Sequence, residues 1–250
     1  MNRNATGMEF VNDVVSRMSR KARDRKVSCQ SLNDHRVARL AEQVFHVKQL
    51  MGMTAEQIRM TFGSFSAAVS PGAAKAKAEV LGWAASHGSR NGSKSTGLVL
   101  CGKTGVGKTH LACAILSRMV VNSVRTPQFT LDRKMFGVFC NALQLKRKMR
   151  SSFSSVRNPG SRASREIIAL GKAPVLVLDD LGVERDAPFF NEAVVEIADA
   201  RQSGGKITII TTNKSSRQLK DRYGDAAFSR LVLSSKIILV EGKDMRGRNA

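Results

Sequence analysis

Apolar residues recur every three or four positions through the first part of the chain, the spacing that places one apolar stripe along a helix. Met8, Val11, Val14, Val15 and Met18 form one such stripe, and a basic stretch from Arg17 to Lys26 runs on from its end. A second stripe passes through Val37, Leu40, Ala41, Val44, Val47 and Met51. Two start signals follow. Thr54-Ala-Glu-Gln57 matches a capping box opening a short helix. Ser70-Pro71 supplies an N-cap and a first-turn proline for another. The polar run Ser-Arg-Asn-Gly-Ser-Lys-Ser-Thr at 89–96 then reads as a flexible linker.

Beyond the linker the pattern changes to short, continuous apolar runs. These predict strands at 98–101, 128–131, 175–178, 207–211 and 237–240, with helices near 108–121, 132–149, 188–202 and 215–233. Unbroken apolar strands separated by helices argue for an α/β fold, with a parallel sheet covered on both faces. The Ser/Arg-rich stretch 151–165 breaks the alternation and is expected to be a mobile loop. The expected organisation is a helical N-terminal region at 1–60, a helical connection and linker at 61–96, and an α/β domain at 97–250.

Composition narrows the function. Forty-one Lys and Arg against 20 Asp and Glu give a net charge of +21, which favours a polyanionic partner, most simply nucleic acid. No apolar run approaches the ~20 residues needed to cross a bilayer. The N-terminus lacks an apolar signal core, and Glu9, Asp13 and Asp24 argue against a transit peptide. Cys29, Cys101, Cys113 and Cys140 form no C-x-x-C pair, and His35, His46, His87 and His110 are scattered, so no zinc pattern arises. Reduced thiols in a cytoplasmic protein are the simpler reading.

The candidate chemistry lies at three strand ends. Gly102-Lys-Thr-Gly-Val-Gly-Lys108-Thr109 fits G-x-x-x-x-G-K-[ST], placed between a predicted strand and a predicted helix. Its glycines let the backbone wrap so that N–H groups face phosphate oxygens. Gly102, Lys103, Thr104, Gly105, Val106, Gly107, Lys108, Thr109 and His110 are therefore the expected nucleotide cradle. Lys108 would reach the β- and γ-phosphates, Thr109 would face Mg²⁺, and the helix N-terminus would favour the anion. Val175-Leu-Val-Leu-Asp179-Asp180 is a strand ending in two carboxylates, the Walker B arrangement. Asp179 would hold the metal, partly through water, and Asp180 would polarise the attacking water. A third strand ends in Thr212-Asn213, where Asn213 either meets the γ-phosphate or lytic water or caps the helix ahead of Ser215.

Taken together with Phe228-Ser-Arg230-Leu, the terminal Gly242-Lys-Asp-Met-Arg246 and Thr61-Phe-Gly-Ser-Phe65, these motifs resemble AAA+ ATPases of the DnaC/IstB group over about residues 60–247. The resemblance implies an AAA+ P-loop core of five parallel strands in the order 5-1-4-3-2, with ATP and Mg²⁺ as cofactors. It implies that Asn213 is the sensor 1 residue, that Arg230 is an arginine finger reaching the neighbouring subunit, and that Arg246 is the sensor 2 arginine. Two departures stand out: Asp180 occupies the position where Glu is usual, and about ten residues follow the last strand, leaving the helical lid absent or vestigial.

Residues 118–172 carry twelve basic and two acidic groups, with Lys146, Arg147, Lys148, Arg150 and Arg157 prominent and Phe136, Phe139 and Phe153 nearby. Such a stretch suits phosphate contact and base stacking; a solvated basic helix with core phenylalanines is the other reading. The Met8–Met18 stripe suits either a partner groove or packing within its own domain. The resemblance implies a loader that engages a hexameric replicative helicase through its N-terminal region, binds single-stranded DNA and self-associates. The alternatives are an IstB-like transposition helper that recruits a transposase, and a nucleic-acid-binding architectural protein that binds nucleotide without turnover.

Overall fold

The computed structural model describes residues 30–67, 70–87, 97–124, 137–150 and 162–245. In chain order the elements are α1 (Gln30–Leu50), α2 (Ala55–Arg59), α3 (Pro71–His87), β1 (Gly97–Cys101), α4 (Lys108–Val124), β2 (Val138–Asn141), α5 (Ala142–Arg150) and α6 (Arg162–Lys172). Next come β3 (Val175–Asp179), α7 (Pro188–Ser203), β4 (Ile207–Thr212), α8 (Ser216–Phe228), a π-helical turn (Ser229–Leu233) and β5 (Ser235–Leu239).

The strands pair in parallel throughout, in the order β2-β3-β4-β1-β5, which is the 5-1-4-3-2 arrangement expected. Their apolar runs are unbroken because both faces are covered. Alternation then divides each strand between two cores. Leu98, Leu100, Val177 and Ile209 face α3, α4 and the end of α1, packing with Val80, Trp83, Leu111 and Ile115. Val99, Leu176, Leu178 and Ile210 face α6–α8, packing with Phe190, Val194, Ile197, Leu219 and Tyr223. Each fully buried aliphatic side chain contributes roughly 2 kcal/mol through removal from water.

The second apolar stripe does what its spacing predicts. Val44, Val47 and Met51 are buried in the same core as α4, and Leu40 packs partly against it. The turn after α1 also covers the sheet's edge: the Phe139 N–H donates to the Met51 carbonyl at 2.7 Å, so β2 does not present an open edge there. Both helix starts read from sequence are realised. Thr54 and Gln57 exchange side-chain and backbone hydrogen bonds in a capping box, and Ser70 Oγ accepts the Ala73 N–H at 3.1 Å.

One strand was misplaced by the sequence pattern. β2 occupies 138–141, inside the stretch expected to be helical at 132–149; the expected strand at 128–131 lies outside the described residues. Four residues, Val138-Phe-Cys-Asn141, are too few for periodicity to separate strand from helix. β5 begins two residues earlier than expected and ends one earlier. The Met8–Met18 stripe, Arg157, Phe136, Phe153 and Arg246 also lie outside the described residues. Cys113 and Cys140 are buried free thiols; burial raises both, Cys140 to about 12. Among the described residues, no helix is long and apolar enough to cross a membrane.

Candidate nucleotide-binding site

The loop from Gly102 to Gly107 joins the C-terminal end of β1 to the N-terminus of α4. Its three glycines all have positive φ, at 151°, 81° and 94°. At Gly107 a Cβ would stand 2.7 Å from the Phe65 ring and 2.8 Å from the Met245 methyl. At Gly105 it would collide with the Asp244 carboxylate. The cradle is therefore lined by backbone because there is no room for anything else. Val106 points into the core and anchors the loop.

Lys108, buried, donates from Nζ to the carbonyls of Gly102 at 2.9 Å and Lys103 at 2.7 Å, which holds its ammonium inside the loop. Thr109 Oγ1 donates to Asp179 Oδ1 at 2.8 Å, bringing the P-loop helix to the end of β3. That same carboxylate oxygen accepts the Thr211 hydroxyl, also at 2.8 Å. Asn141 adds a side-chain hydrogen bond to Asp179 while its Oδ1 caps α5 by accepting the Leu143 and Gln144 N–H groups. Burial, and then the neighbouring Asp180, raise the Asp179 pKa despite these donors. Asp180 adopts a left-handed backbone, φ 56°, and its N–H donates to Thr211 Oγ1 at 2.8 Å.

A cavity of about 1040 Å³ opens beside these groups. Thr104, Gly105, Gly107, Lys108, Thr109, His110, Asp179, Asp180 and Asn213 line it, so the three strand ends converge as the sequence pattern requires. Asn213 is not the helix cap: Ser215 caps α8, its hydroxyl accepting the Gln218 N–H, which leaves Asn213 facing the cavity. His110 contributes differently from a phosphate ligand. Its Nε2 lies 2.9 Å from the Thr61 carbonyl and 3.2 Å from Ser64 Oγ, and its ring meets Phe65 edge-on. Burial lowers its pKa, and the neutral ring pins the 61–65 loop to α4.

The remaining candidates sit elsewhere. Arg230 lies on the π-helical turn, half-buried and ion-paired with Asp199 of α7, and is not among the cavity's lining residues. Lys146, Arg147, Lys148 and Arg150 lie on α5, whose Ala142, Leu145 and Met149 are buried. Arg147 and Arg150 are exposed, Lys148 pairs with Glu166 at 3.7 Å, and Lys146 donates to the Arg185 carbonyl. Phe139 is core, as the simpler reading of that region had it.

Sequence reasoning missed several residues of the site. Thr54, Gln57, Met60, Ser64 and Met245 form a wall of the cavity, and Thr211 and Asn141 flank Asp179. The cavity wall is built by long-range bonds invisible along the chain: Lys48 Nζ to the Ile58 carbonyl, Ser117 Oγ to that of Met60, and the Met245 N–H to that of Gly105. The one signal for Thr211 and Asn141 was a polar residue ending an apolar strand.

The residues present fit a nucleoside triphosphate with a divalent cation: a backbone cradle closed to side chains, a buried lysine, and a hydroxyl facing a carboxylate. Together with the strand order, this defines a P-loop protein of the AAA+ type. The family model for IstB-like ATP binding proteins matches residues 4–250, and the chain belongs to that family.

Among curated proteins, the chain is 23% identical over 142 residues to the replicative helicase loader DnaC of Escherichia coli K12, covering 57% of this chain and 52% of that protein. DnaC of Buchnera aphidicola is 23% identical over 141 residues. The chain thus spans about half the length of the curated relatives it matches. Among solved structures, the DnaC helicase loader superposes with a TM-score of 0.59 at 22% identity, over 75% of this chain and 100% of that one. DnaI gives 0.57 at 22% identity over 78% and 94%, and AMPPCP-bound DnaA from Aquifex aeolicus gives 0.55 at 17% over 73% and 50%. These structural likenesses concern the fold.

Proposed function

We propose that the protein is a cytoplasmic, Mg²⁺-dependent ATPase that loads a hexameric replicative helicase onto single-stranded DNA. The observation that carries the ATPase reading is the meeting of Thr109 and Asp179 at the foot of the glycine cradle, beside Lys108. Membership of an ATP-binding family and similarity to DnaC support the rest.

In this reading the Gly102–Thr109 backbone holds the phosphates, and Lys108 exchanges its two carbonyl partners for phosphate oxygens. Thr109 and Asp179 would hold Mg²⁺, whose charge offsets that of the β- and γ-phosphates. Asp180 orients water, Asn213 detects the γ-phosphate, and Arg230 leaves Asp199 to complete the neighbouring subunit's site. The pair it leaves is partly exposed, so breaking it costs little, about 1 kcal/mol at most. Arg246 acts as sensor 2. Lys146, Arg147, Lys148, Arg150 and Arg157 contact the DNA backbone, and residues 1–60 engage the helicase, with 61–96 as connection and 97–250 as the ATPase domain.

The family's name favours one second reading, a transposition helper that recruits a transposase. Light scattering after size-exclusion chromatography, with the replicative helicase and with or without ATP, separates the two. A stoichiometric complex that is lost on deleting residues 1–29 supports the loader. No complex, with the protein folded and binding nucleotide, supports the helper.

A further inference from the structure

Thr211 is the last residue but one of β4 and is fully buried. Its hydroxyl has a donor role and an acceptor role, and both are used on the Walker B turn. It donates to Asp179 Oδ1 at 2.8 Å and accepts the Asp180 N–H at 2.8 Å. Its carbonyl accepts the Leu181 N–H at 2.9 Å, and the neighbouring Thr212 hydroxyl donates to the Leu181 carbonyl at 2.7 Å. β4 therefore grips the turn at 179–181 through four hydrogen bonds. One side chain contributes two of them.

We propose that Thr211 is the positioning residue of the hydrolytic centre, fixing the direction of both carboxylates through one hydroxyl. This deepens the nucleotide-site reading and rests on it. Asp179 Oδ1 accepts Thr109 and Thr211 together. A bound cation would claim the Thr109 hydroxyl, leaving Thr211, together with Asn141, to orient the carboxylate. A left-handed aspartate is uncommon and holds only where its surroundings determine it. The Thr211 oxygen is the acceptor that fixes the Asp180 N–H, and so decides where the Asp180 side chain leaves the backbone.

The test compares Thr211→Val, which removes the hydroxyl at nearly constant volume, with Thr211→Ser, which keeps it. Fluorescent ATP binding is titrated with Mg²⁺, and turnover is measured separately. The Val variant should need roughly tenfold more Mg²⁺ for half-maximal nucleotide binding and lose roughly 10- to 100-fold in kcat, with KM for ATP changed less than about threefold at saturating Mg²⁺. The Ser variant should stay within about threefold of the parent in all three. Equal Mg²⁺ requirement in Val and parent overturns the proposal. If the parent binds nucleotide but does not turn it over, the ATPase reading fails while the Mg²⁺ titration still decides the role of Thr211. Should the Val variant not fold, amide hydrogen exchange on the unaltered protein decides: the Asp180 amide should stay protected with and without Mg²⁺–nucleotide, and its release on binding contradicts the proposal.

Discussion

Thr109 and Asp179, seventy residues apart in sequence, are joined by a 2.8 Å hydrogen bond in which the hydroxyl donates to the carboxylate. The bond fastens α4 to the end of β3 and places a hydroxyl and a carboxylate on one side of the phosphate cradle. Asp179→Asn should raise the Mg²⁺ needed for half-maximal nucleotide binding at least ~10-fold and lower Mg²⁺-dependent turnover by ~100-fold or more. Because burial and then Asp180 raise the Asp179 pKa, Mg²⁺-dependent binding should weaken on acidification sooner than an ordinary carboxylate would dictate. Asp180→Asn removes the like charge, so the midpoint of that loss should move to lower pH. A pH series of fluorescent ATP binding at fixed Mg²⁺ checks both.

Two glycines should respond in opposite ways to alanine. Gly107, at φ 94°, has Phe65 and Met245 where a Cβ would go, so Gly107→Ala should reduce ATP affinity at least ~10-fold and cost about 1–2 kcal/mol of stability. Gly82 lies within α3, and a Cβ there meets nothing within 4 Å. Gly82→Ala should stabilise by about 0.5–1 kcal/mol with unchanged affinity. Urea unfolding and nucleotide titration of the two variants provide the measurements.

These outcomes mark what could be read along the chain. The cradle and Asp179-Asp180 were legible because each concentrates unusual residues in a short span beside an apolar run. Asn213 could be placed in the cavity only once Ser215 was seen to cap α8. β2 escaped because Val138–Asn141 is short and borders the apolar positions of α5. Thr211 and Asn141 escaped because a polar strand end is commonplace until its partner across the sheet is known. The wall from Thr54 to Ser66 depends on Lys48, His110 and Ser117 reaching it from other helices, a relation that no local pattern encodes.

Arg201 should matter for stability alone. Its guanidinium is buried in α7 and donates to the carbonyls of Leu170, Ala173 and Ile207 and to Thr208 Oγ1, joining α6 to the start of β4. Burial lowers its pKa to about 10. Arg201→Met would strand those acceptors and should cost about 3 kcal/mol in chemical unfolding, with ATP affinity unchanged.

Lys48 should make stability depend on pH in the alkaline range. Burial lowers its pKa from 10.5 to about 8, so between these values the unfolded chain binds the proton that the folded chain has released. Stability contributed by this site therefore rises with pH from about 8 to about 10.5 and is lowest below 8. Lys48→Met should lack that rise, which in the parent amounts to about 3 kcal/mol across the window. Unfolding of both proteins at a series of pH values gives the curve; parallel curves would refute the assignment.

The most direct test of an ATP-driven, DNA-coupled machine is steady-state phosphate release with Mg²⁺-ATP, with and without single-stranded DNA, in the parent and in Lys108→Ala. The parent should turn ATP over and do so several-fold faster with DNA, and Lys108→Ala should fall to background in both conditions. Turnover that survives Lys108→Ala, or a folded parent that binds ATP and releases no phosphate with DNA present, would contradict the account.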